Sequence, residues 1–236
     1  MVSLRKQDMS GLAEYAGEMI RLEPAAPEGY AFRAASLIAQ GRFAAGEVDV
    51  RKAIEFAPES STGYVEMGSL NFVKQNLPAA ENWYKQALTH DPNSLDALEG
   101  LAKLYLTQKQ PDKALTLVNG QIARSPANSE FYDLLGTIEL SKGDLPAADA
   151  ALKKSAELNK NNVDATVKLG QVQTAMGNLD QALATWSQGA RENPKEAAFY
   201  VQGGPQAKRQ EQAGGKSDVP GSSQAGLRKG WQTGEN

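Results

Sequence analysis

The sequence predicts an all-α fold built from tandem 34-residue helix-turn-helix units, and three observations lead to this prediction. First, prolines recur at intervals of 34 residues with one slot missed. They are Pro24, Pro58, Pro92, Pro126 and Pro194, and Lys160 occupies the missed slot. Second, apolar residues between these positions form two stripes with helical spacing. Third, 41% hydrophobic content with only 7% aromatic residues favours close packing of helices through Ala and Leu.

The first helix of each unit is predicted from a stripe at positions 4, 7, 8 and 11, which share one helical face. Position 8 is small in every unit: Ala34, Gly68, Ala102, Gly136 and Gly170. Position 4 is bulky in four units: Tyr30, Tyr64, Leu98 and Tyr132. Thr166 at position 4, Arg33 at position 7 and Gln173 at position 11 depart from the pattern. These departures weaken individual helices without breaking the period.

The second helix of each unit is predicted from apolar residues at position 24, with further ones four residues later. Position 24 is occupied by Val50, Tyr84, Val118, Leu152 and Trp186. Between the two stripes, Gly or Asn ends the first helix. Pro78, Pro111 and Pro146 fall in the first turn of the second helix, where the missing N–H is tolerated. Each unit is therefore expected to be a helical hairpin.

This register divides the chain into repeats without insertions. Residues 1–26 match only the second helix of a repeat. Full repeats are expected at 27–60, 61–94, 95–128, 129–162 and 163–196. The regular spacing predicts that all five share one architecture.

The two ends of the repeat array depart from it. Residues 197–202 begin a sixth repeat that glycines and a proline stop, and 203–236 is expected to be a disordered Gly- and Gln-rich tail. Neither end has an obvious polar capping helix. The sequence therefore predicts either a fragment of a longer array, or bare ends that pack on a partner or a second copy, with a face around Leu183, Trp186 and Ala190.

Small residues at positions 8 and 20, bulky ones at 4, 7 and 24, and proline at 32 of a 34-residue unit resemble the tetratricopeptide repeat family, in particular its bacterial members. The resemblance covers residues 8 to about 202. It implies a right-handed α-solenoid, a superhelix of helix pairs with a concave groove. It also implies a protein-binding scaffold rather than an enzyme.

Composition excludes several other classes. A net charge of -3 offers no basic field for nucleic acid, and the absence of cysteine excludes thiolate chemistry and zinc knuckles. The single His90 is expected at the end of a helix, so we predict no catalytic, cofactor or metal site. No apolar stretch is long enough to span a membrane. The compartment stays open: cytoplasmic as written, or periplasmic if an N-terminal signal is missing.

The resemblance also implies which side chains line the groove, namely positions 2, 5, 9, 12 and 13 of each first helix. The groove residues taken as partner-binding are Val65, Ser69, Phe72, Val73, Asp96, Glu99, Lys103, Leu106, Glu130, Asp133, Thr137, Asp164 and Gln171. Acidic residues dominate the middle of this set, beside an apolar stretch. A basic or mixed basic-apolar segment of a protein or peptide is the expected ligand, although the acids at position 2 also suit helix N-termini.

The leading functional prediction is a scaffold or adaptor that binds a partner segment. The alternatives are a self-associating structural module and a fragment of a longer protein that acts in bacterial envelope or polysaccharide assembly or export. Family members that grip the acidic C-terminus of chaperones use a clamp of Lys, Asn and Arg. The residues at those positions here are Ala31, Ala35, Glu66, Glu99, Lys103, Asp133 and Thr137, so that role is disfavoured.

Overall fold

The computed structural model describes residues 6–196, 198 and 199, with side chains from residue 11 onward. Over these residues it contains helices and no β-strand, which confirms the predicted fold class. The helices are α1 Lys6–Leu22, α2 Pro27–Ala39, α3 Phe43–Phe56, α4 Ser61–Val73, α5 Leu77–His90, α6 Leu95–Thr107, α7 Pro111–Arg124, α8 Ser129–Lys142, α9 Leu145–Leu158, α10 Val163–Ala175 and α11 Leu179–Glu192. The tail prediction for 203–236 lies outside the described residues.

The chain divides into two compact units, Met1–Leu117 and Val118–Asn236. In the first unit, consecutive helices from α1 to α6 pack on one another, and the first helices α2, α4 and α6 also contact in sequence. In the second unit, α8 packs on α9, α9 on α10 and α10 on α11. Each unit therefore has its own core between helix layers.

The turn inside each hairpin uses a left-handed residue after the first helix. Gly41, Gly143 and Gly177 have φ of 77°, 80° and 82°. Gln75 and Lys109 occupy the same position in the other two repeats, with φ of 60° and 57°. A non-glycine residue in this conformation is disfavoured by about 1 kcal/mol, so these two turns are held by the packing of the helices they join.

Several helices begin with a side-chain cap that satisfies a free backbone N–H. The Asn128 side chain accepts a hydrogen bond from the Glu130 N–H at 2.9 Å, and Asp144 accepts one from the Ala147 N–H at 3.1 Å. Asn162 does the same for the Ala165 N–H at 3.0 Å. These caps fix where α8, α9 and α10 begin.

The core is formed by the small position-8 residues against the bulky position-24 residues of the same repeat. A Cβ on Gly68 would lie 2.6 Å from the Tyr84 ring, so this close approach requires glycine. Gly136 and Leu152 meet in the same way in the second unit, where the Cβ would lie 2.6 Å from Leu152 Cγ. The departure at Arg33 is also explained, because its guanidinium donates to both oxygens of the buried Asp49 at 2.6 and 2.8 Å.

The expected bare face around Leu183, Trp186 and Ala190 is wrong. These side chains are buried, with exposed fractions of 5%, 1% and 2%. Phe199 packs in the same cluster and is itself fully buried. Phe199, three residues beyond the last full repeat, covers this apolar face of α11, so self-association through this particular face is not supported.

Candidate functional site

The candidate site of the first unit lies on helices α4 and α6, which contact each other. It contains the predicted groove residues Val65, Ser69, Phe72, Val73, Asp96, Glu99, Lys103 and Leu106. Together with Glu66 we call them the α4/α6 surface. Their partner-binding role remains a prediction, and the structure supplies their contacts.

The apolar part of the α4/α6 surface is centred on Phe72. This ring is half-buried, and the Lys103 ammonium lies 5.2 Å from its centroid, within cation–π range. Val73 beside it is 44% exposed, whereas Val65 is only 8% exposed and packs into the core. Phe72 and Val73 are therefore the apolar groups open to a ligand, and Lys103 is partly engaged by the ring.

The acids of the α4/α6 surface are Glu66, Asp96 and Glu99, and the first two lie close enough to influence each other. Burial, and second the charge of Asp96, raises the pKa of Glu66 from 4.5 to about 7. The carboxylate of Glu66 is surrounded by neighbouring atoms. The accessible area of the residue is nevertheless intermediate, so the side chain still reaches solvent. Among the described residues neither Glu66 nor Asp96 has a side-chain hydrogen bond or ion pair. Glu66 and Asp96 are therefore not neutralised by any residue that the structure describes.

Two hydroxyl groups lie near this acidic pair. The Ser69 and Tyr84 hydroxyl oxygens are 3.3 Å apart, and either can donate. Burial, and to a smaller extent the charge of Glu66, raises the pKa of Tyr84, while the hydrogen bond with Ser69 opposes the shift. The hydroxyl pair therefore stays neutral, and no base among the described residues forms an ion pair with Glu66.

The candidate site of the second unit lies on α8 and α10. Its predicted residues are Glu130, Asp133, Thr137, Asp164 and Gln171. The structure adds Lys168 of α10, which the sequence analysis did not include. We call these six residues the α8/α10 surface.

Lys168 organises the α8/α10 surface. Its ammonium donates to both Asp133 oxygens at 3.0 and 3.1 Å and to the Thr137 hydroxyl at 3.3 Å. It also lies 2.6 Å from an Asp164 oxygen. Asp133 and Asp164, two of the three predicted acids of this surface, are therefore paired within the molecule.

The protonation of this cluster follows from burial and charge. Burial opposes the charge of Lys168, but hydrogen bonds and charges from Asp164 and Asp133 outweigh it and raise the pKa of Lys168. Burial raises the pKa of Asp133, and the charge of Lys168 opposes this shift without cancelling it. The short distances show that the lysine holds the cluster together, with Glu130 left exposed at the start of α8.

Glu66 and Lys168 both occupy position 6 of their repeats, which was not among the positions taken to line the groove. Positions 2, 6, 9 and 13 fall on one helical face, so the spacing itself contained the signal. The residues at position 6 differ in every repeat: Phe32, Glu66, Gly100, Leu134 and Lys168. This position therefore sets the local charge of each surface.

The described residues were also compared with the requirements of a catalytic histidine, a metal site and a membrane-spanning helix. His90 stacks on Tyr64 at 4.4 Å between ring centroids and lies 3.4 Å from the exposed Glu59, as expected for a surface histidine near a helix end. No three metal-binding side chains converge among the described residues. None of the described helices combines the length and apolar character needed to cross a bilayer.

Comparison with known proteins agrees with the fold. The tetratricopeptide repeat model matches residues 74–138 and 139–202, more than half of the chain. Among curated relatives, Hsp70-Hsp90 organizing protein 2 of Arabidopsis thaliana is 33% identical over 86 residues, 36% of this chain and 15% of that protein. Hsp70-Hsp90 organizing protein 1 of Glycine max is 31% identical over 86 residues, with the same coverage. The match thus spans a small part of these relatives.

Solved structures show the same architecture. A tetratricopeptide repeat protein of Thermus thermophilus aligns with a TM-score of 0.59 at 18% identity, over 77% of this chain and 98% of that one. PilF of Pseudomonas aeruginosa aligns with a TM-score of 0.58 at 20% identity, over 89% and 93%. MamA aligns with a TM-score of 0.54 at 26% identity, over 75% and 94%. The first two likenesses establish the fold alone. The chain belongs to the tetratricopeptide repeat family, whose repeats form protein–protein interaction modules.

Proposed function

We propose that this chain is an adaptor whose α4/α6 surface binds a segment of a partner protein carrying a basic side chain next to an apolar one. The observation that supports this proposal is the juxtaposition of two unpaired carboxylates, Glu66 and Asp96, with the open apolar groups Phe72 and Val73. A basic side chain would supply the missing counter-charge. An adjacent apolar side chain would cover Phe72 and Val73.

The proposal predicts proton-linked binding. The ionised fraction of Glu66 rises about tenfold between pH 6 and pH 8 when its pKa is about 7. A bound ammonium or guanidinium favours the ionised carboxylate and lowers that pKa. Affinity for a basic segment should therefore rise up to about tenfold over this interval.

The partner chemistry proposed here differs from that of an acidic chaperone tail. Ala31, Ala35, Glu66 and Glu99 stand at positions where the family resemblance implies Lys, Asn or Arg for such a clamp, and Lys103 is the one clamp position with a basic residue. An acidic ligand would also meet repulsion from Asp96. Although the relatives from Arabidopsis thaliana and Glycine max are named as organizers of Hsp70 and Hsp90, we propose a basic ligand for this chain.

The test is selection of peptides from a random library on the full chain, followed by affinity measurement on two matched variants. Glu66→Gln with Asp96→Asn removes the unpaired acids of the α4/α6 surface. Asp112→Asn with Glu55→Gln removes the same charge from exposed positions on α7 and α3. We expect Lys- or Arg-containing apolar peptides that lose at least about tenfold in affinity only with the first variant.

Two results would contradict the proposal. One is selection of acidic peptides. The other is equal affinity of the selected peptides for both double variants, which would move the binding away from Glu66 and Asp96.

A further inference from the structure

The chain itself contains a segment with the chemistry proposed for the ligand of the α4/α6 surface. Arg228 and Lys229 are adjacent, with Leu227 before them and Trp231 two residues after them. The sequence from 219 to 234 contains no acid, so both positive charges are uncompensated within it. We call residues 227–231 the basic-apolar segment. It lies outside the part of the chain that the structure describes.

A second basic pair in the same region of the sequence lacks the apolar neighbours. Lys208 and Arg209 are flanked by Ala207 and Gln210. The sequence from 203 to 218 contains no valine, leucine, isoleucine, methionine or aromatic residue. This pair therefore matches the basic-apolar segment in its two bases and differs from it in apolar content.

The α4/α6 surface complements the basic-apolar segment in charge. Its acids are Glu66, Asp96 and Glu99, and its base is Lys103. Neither Glu66 nor Asp96 is paired with a base among the described residues, whereas the Lys103 ammonium lies 5.2 Å from the centroid of the Phe72 ring. Acids thus outnumber bases on this surface, and the two bases of the segment would offset the excess.

The apolar part of the surface lies at a distance from its acids that the segment can span. Glu66 and Val73 are seven residues apart on α4, so they share a face of the helix with a rise of about 10 Å between them. Arg228 and Trp231 are three residues apart, and an extended chain of that length spans up to about 10 Å. With the guanidinium at Glu66, the Trp231 indole therefore reaches Val73, which is 44% exposed.

The connecting sequence is long enough for contact within one chain. Residues 200–227 lie between the last described residue and Arg228, and a chain of this length spans up to about 95 Å when it is fully extended. The longest described helix, α1, has 17 residues and is about 25 Å long. Tethering gives a segment an effective concentration of about 1 mM, so a millimolar affinity docks it in about half of the molecules.

We propose that residues 227–231 occupy the α4/α6 surface of their own chain, with the two bases facing the acids and Trp231 covering Val73. The inference rests on the proposed function, because the segment uses the same surface as the partner. It adds an intramolecular competitor that a partner displaces. Because about half of the molecules stay undocked at a millimolar affinity, the pKa of Glu66 in the full chain remains close to about 7.

The test is paramagnetic relaxation enhancement in the full, isotope-labelled chain. The chain has no cysteine, so Ser223→Cys provides a single attachment site for a nitroxide, four residues before the basic-apolar segment. We expect the backbone amide signals of Phe72 and Val73 to lose at least about half of their intensity, and to regain it when the nitroxide is reduced. A mixture of nitroxide-labelled chain and isotope-labelled chain without nitroxide detects contact between two copies.

Two matched double variants assign the contact to the segment. Arg228→Gln with Lys229→Gln removes its bases and should restore the signals of Phe72 and Val73. Lys208→Gln with Arg209→Gln removes the same charge from the other pair and should leave the broadening unchanged. The first double variant should also raise the affinity for a library-selected basic peptide about twofold, because the competitor is lost.

Three results would overturn the proposal: no broadening at Phe72 and Val73, equal recovery with both double variants, or broadening that appears only in the mixture of two copies. Failure of the proposed function gives a different pattern. If the label causes no broadening but selected peptides lose affinity with Glu66→Gln and Asp96→Asn, the adaptor function stands and only the intramolecular contact is lost. If those peptides keep their affinity, the adaptor proposal itself is contradicted.

Discussion

The α4/α6 and α8/α10 surfaces use equivalent positions of equivalent helices, yet they differ in electrostatics. On α4/α6, neither Glu66 nor Asp96 is paired with a base among the described residues, and the pKa of Glu66 is raised to about 7. On α8/α10, Lys168 pairs with both Asp133 and Asp164. The comparison shows that the charge of a repeat surface cannot be obtained by adding acids along it, because one residue at position 6 decides whether those acids are available.

Packing explains why α6 cannot carry a lysine that would pair with the acids of the α4/α6 surface. The residue of α6 equivalent to Lys168 is Gly100. A Cβ there would lie 2.8 Å from Tyr84 Cδ1, so any side chain would displace the ring. The large residue at position 24 of the second repeat thus excludes a cation from position 6 of the third.

We expect the largest effect from Lys168→Met, which removes the base that pairs with Asp133 and Asp164 on the α8/α10 surface. This change leaves Asp133, whose side chain is 19% exposed, without its base. We expect a loss of about 2–3 kcal/mol in the free energy of unfolding at pH 7, measured by urea denaturation. The loss should increase with pH, because removing the base raises the pKa of Asp133 further and its ionisation then opposes folding.

A second variant controls for the loss of the lysine stem. Asp133→Asn combined with Lys168→Met removes both charges and should recover at least half of the stability. If Lys168→Met alone changed stability by less than about 0.5 kcal/mol, the lysine would not be the organiser of this surface.

The next largest effect is expected on the α4/α6 surface, where a substitution at Glu66 should raise the free energy of unfolding instead of lowering it. The folded-state pKa of Glu66 is raised, so its contribution is most favourable below about pH 4.5 and is lost as the pH rises through about 7. Glu66→Gln should therefore stabilise the chain at pH 8 by about 1–2 kcal/mol relative to wild type, with little difference at pH 4. Urea denaturation of both proteins at pH 4 and pH 8 measures this difference in stability. A difference that is the same at the two pH values would contradict the prediction.

The smallest effect is expected at Asp164, the second carboxylate paired with Lys168 on the α8/α10 surface. Asp164 is 56% exposed by side chain, although it lies only 2.6 Å from the Lys168 ammonium. Asp164→Asn should destabilise by about 0.5 kcal/mol or less, because exposed ion pairs contribute little. A loss as large as that of Lys168→Met would place the main pairing at Asp164 instead of Asp133.

The sequence predicted the helix pairs well because their signal is repeated and local. The departure at Arg33 and the left-handed turn residues at Gln75 and Lys109 fit the same period once the structure shows their contacts and backbone angles. Covering of the last helix by Phe199 was missed, since the short segment after residue 196 shows no complete repeat. Packing of a single ring cannot be read from periodicity.

The site was predicted less completely because its decisive contacts join different repeats. Asp133 and Asp164 were identified, but the lysine that pairs them is 35 residues from Asp133 in sequence. The raised pKa of Glu66 depends on how deeply its carboxylate lies, which no residue pattern reveals. Thr166 was recognised as a departure, but its place beside an open cleft among α9, α10 and α11 depends on how these three helices pack.

The most direct test of the central claim is an NMR titration of the Glu66 side-chain carboxyl in the full chain, free and bound to a selected basic peptide. We expect a midpoint at about pH 7 in the free chain, and a clearly lower midpoint in the complex. A free-chain midpoint close to the ordinary value of 4.5, or one that the basic peptide leaves unchanged, would contradict the account.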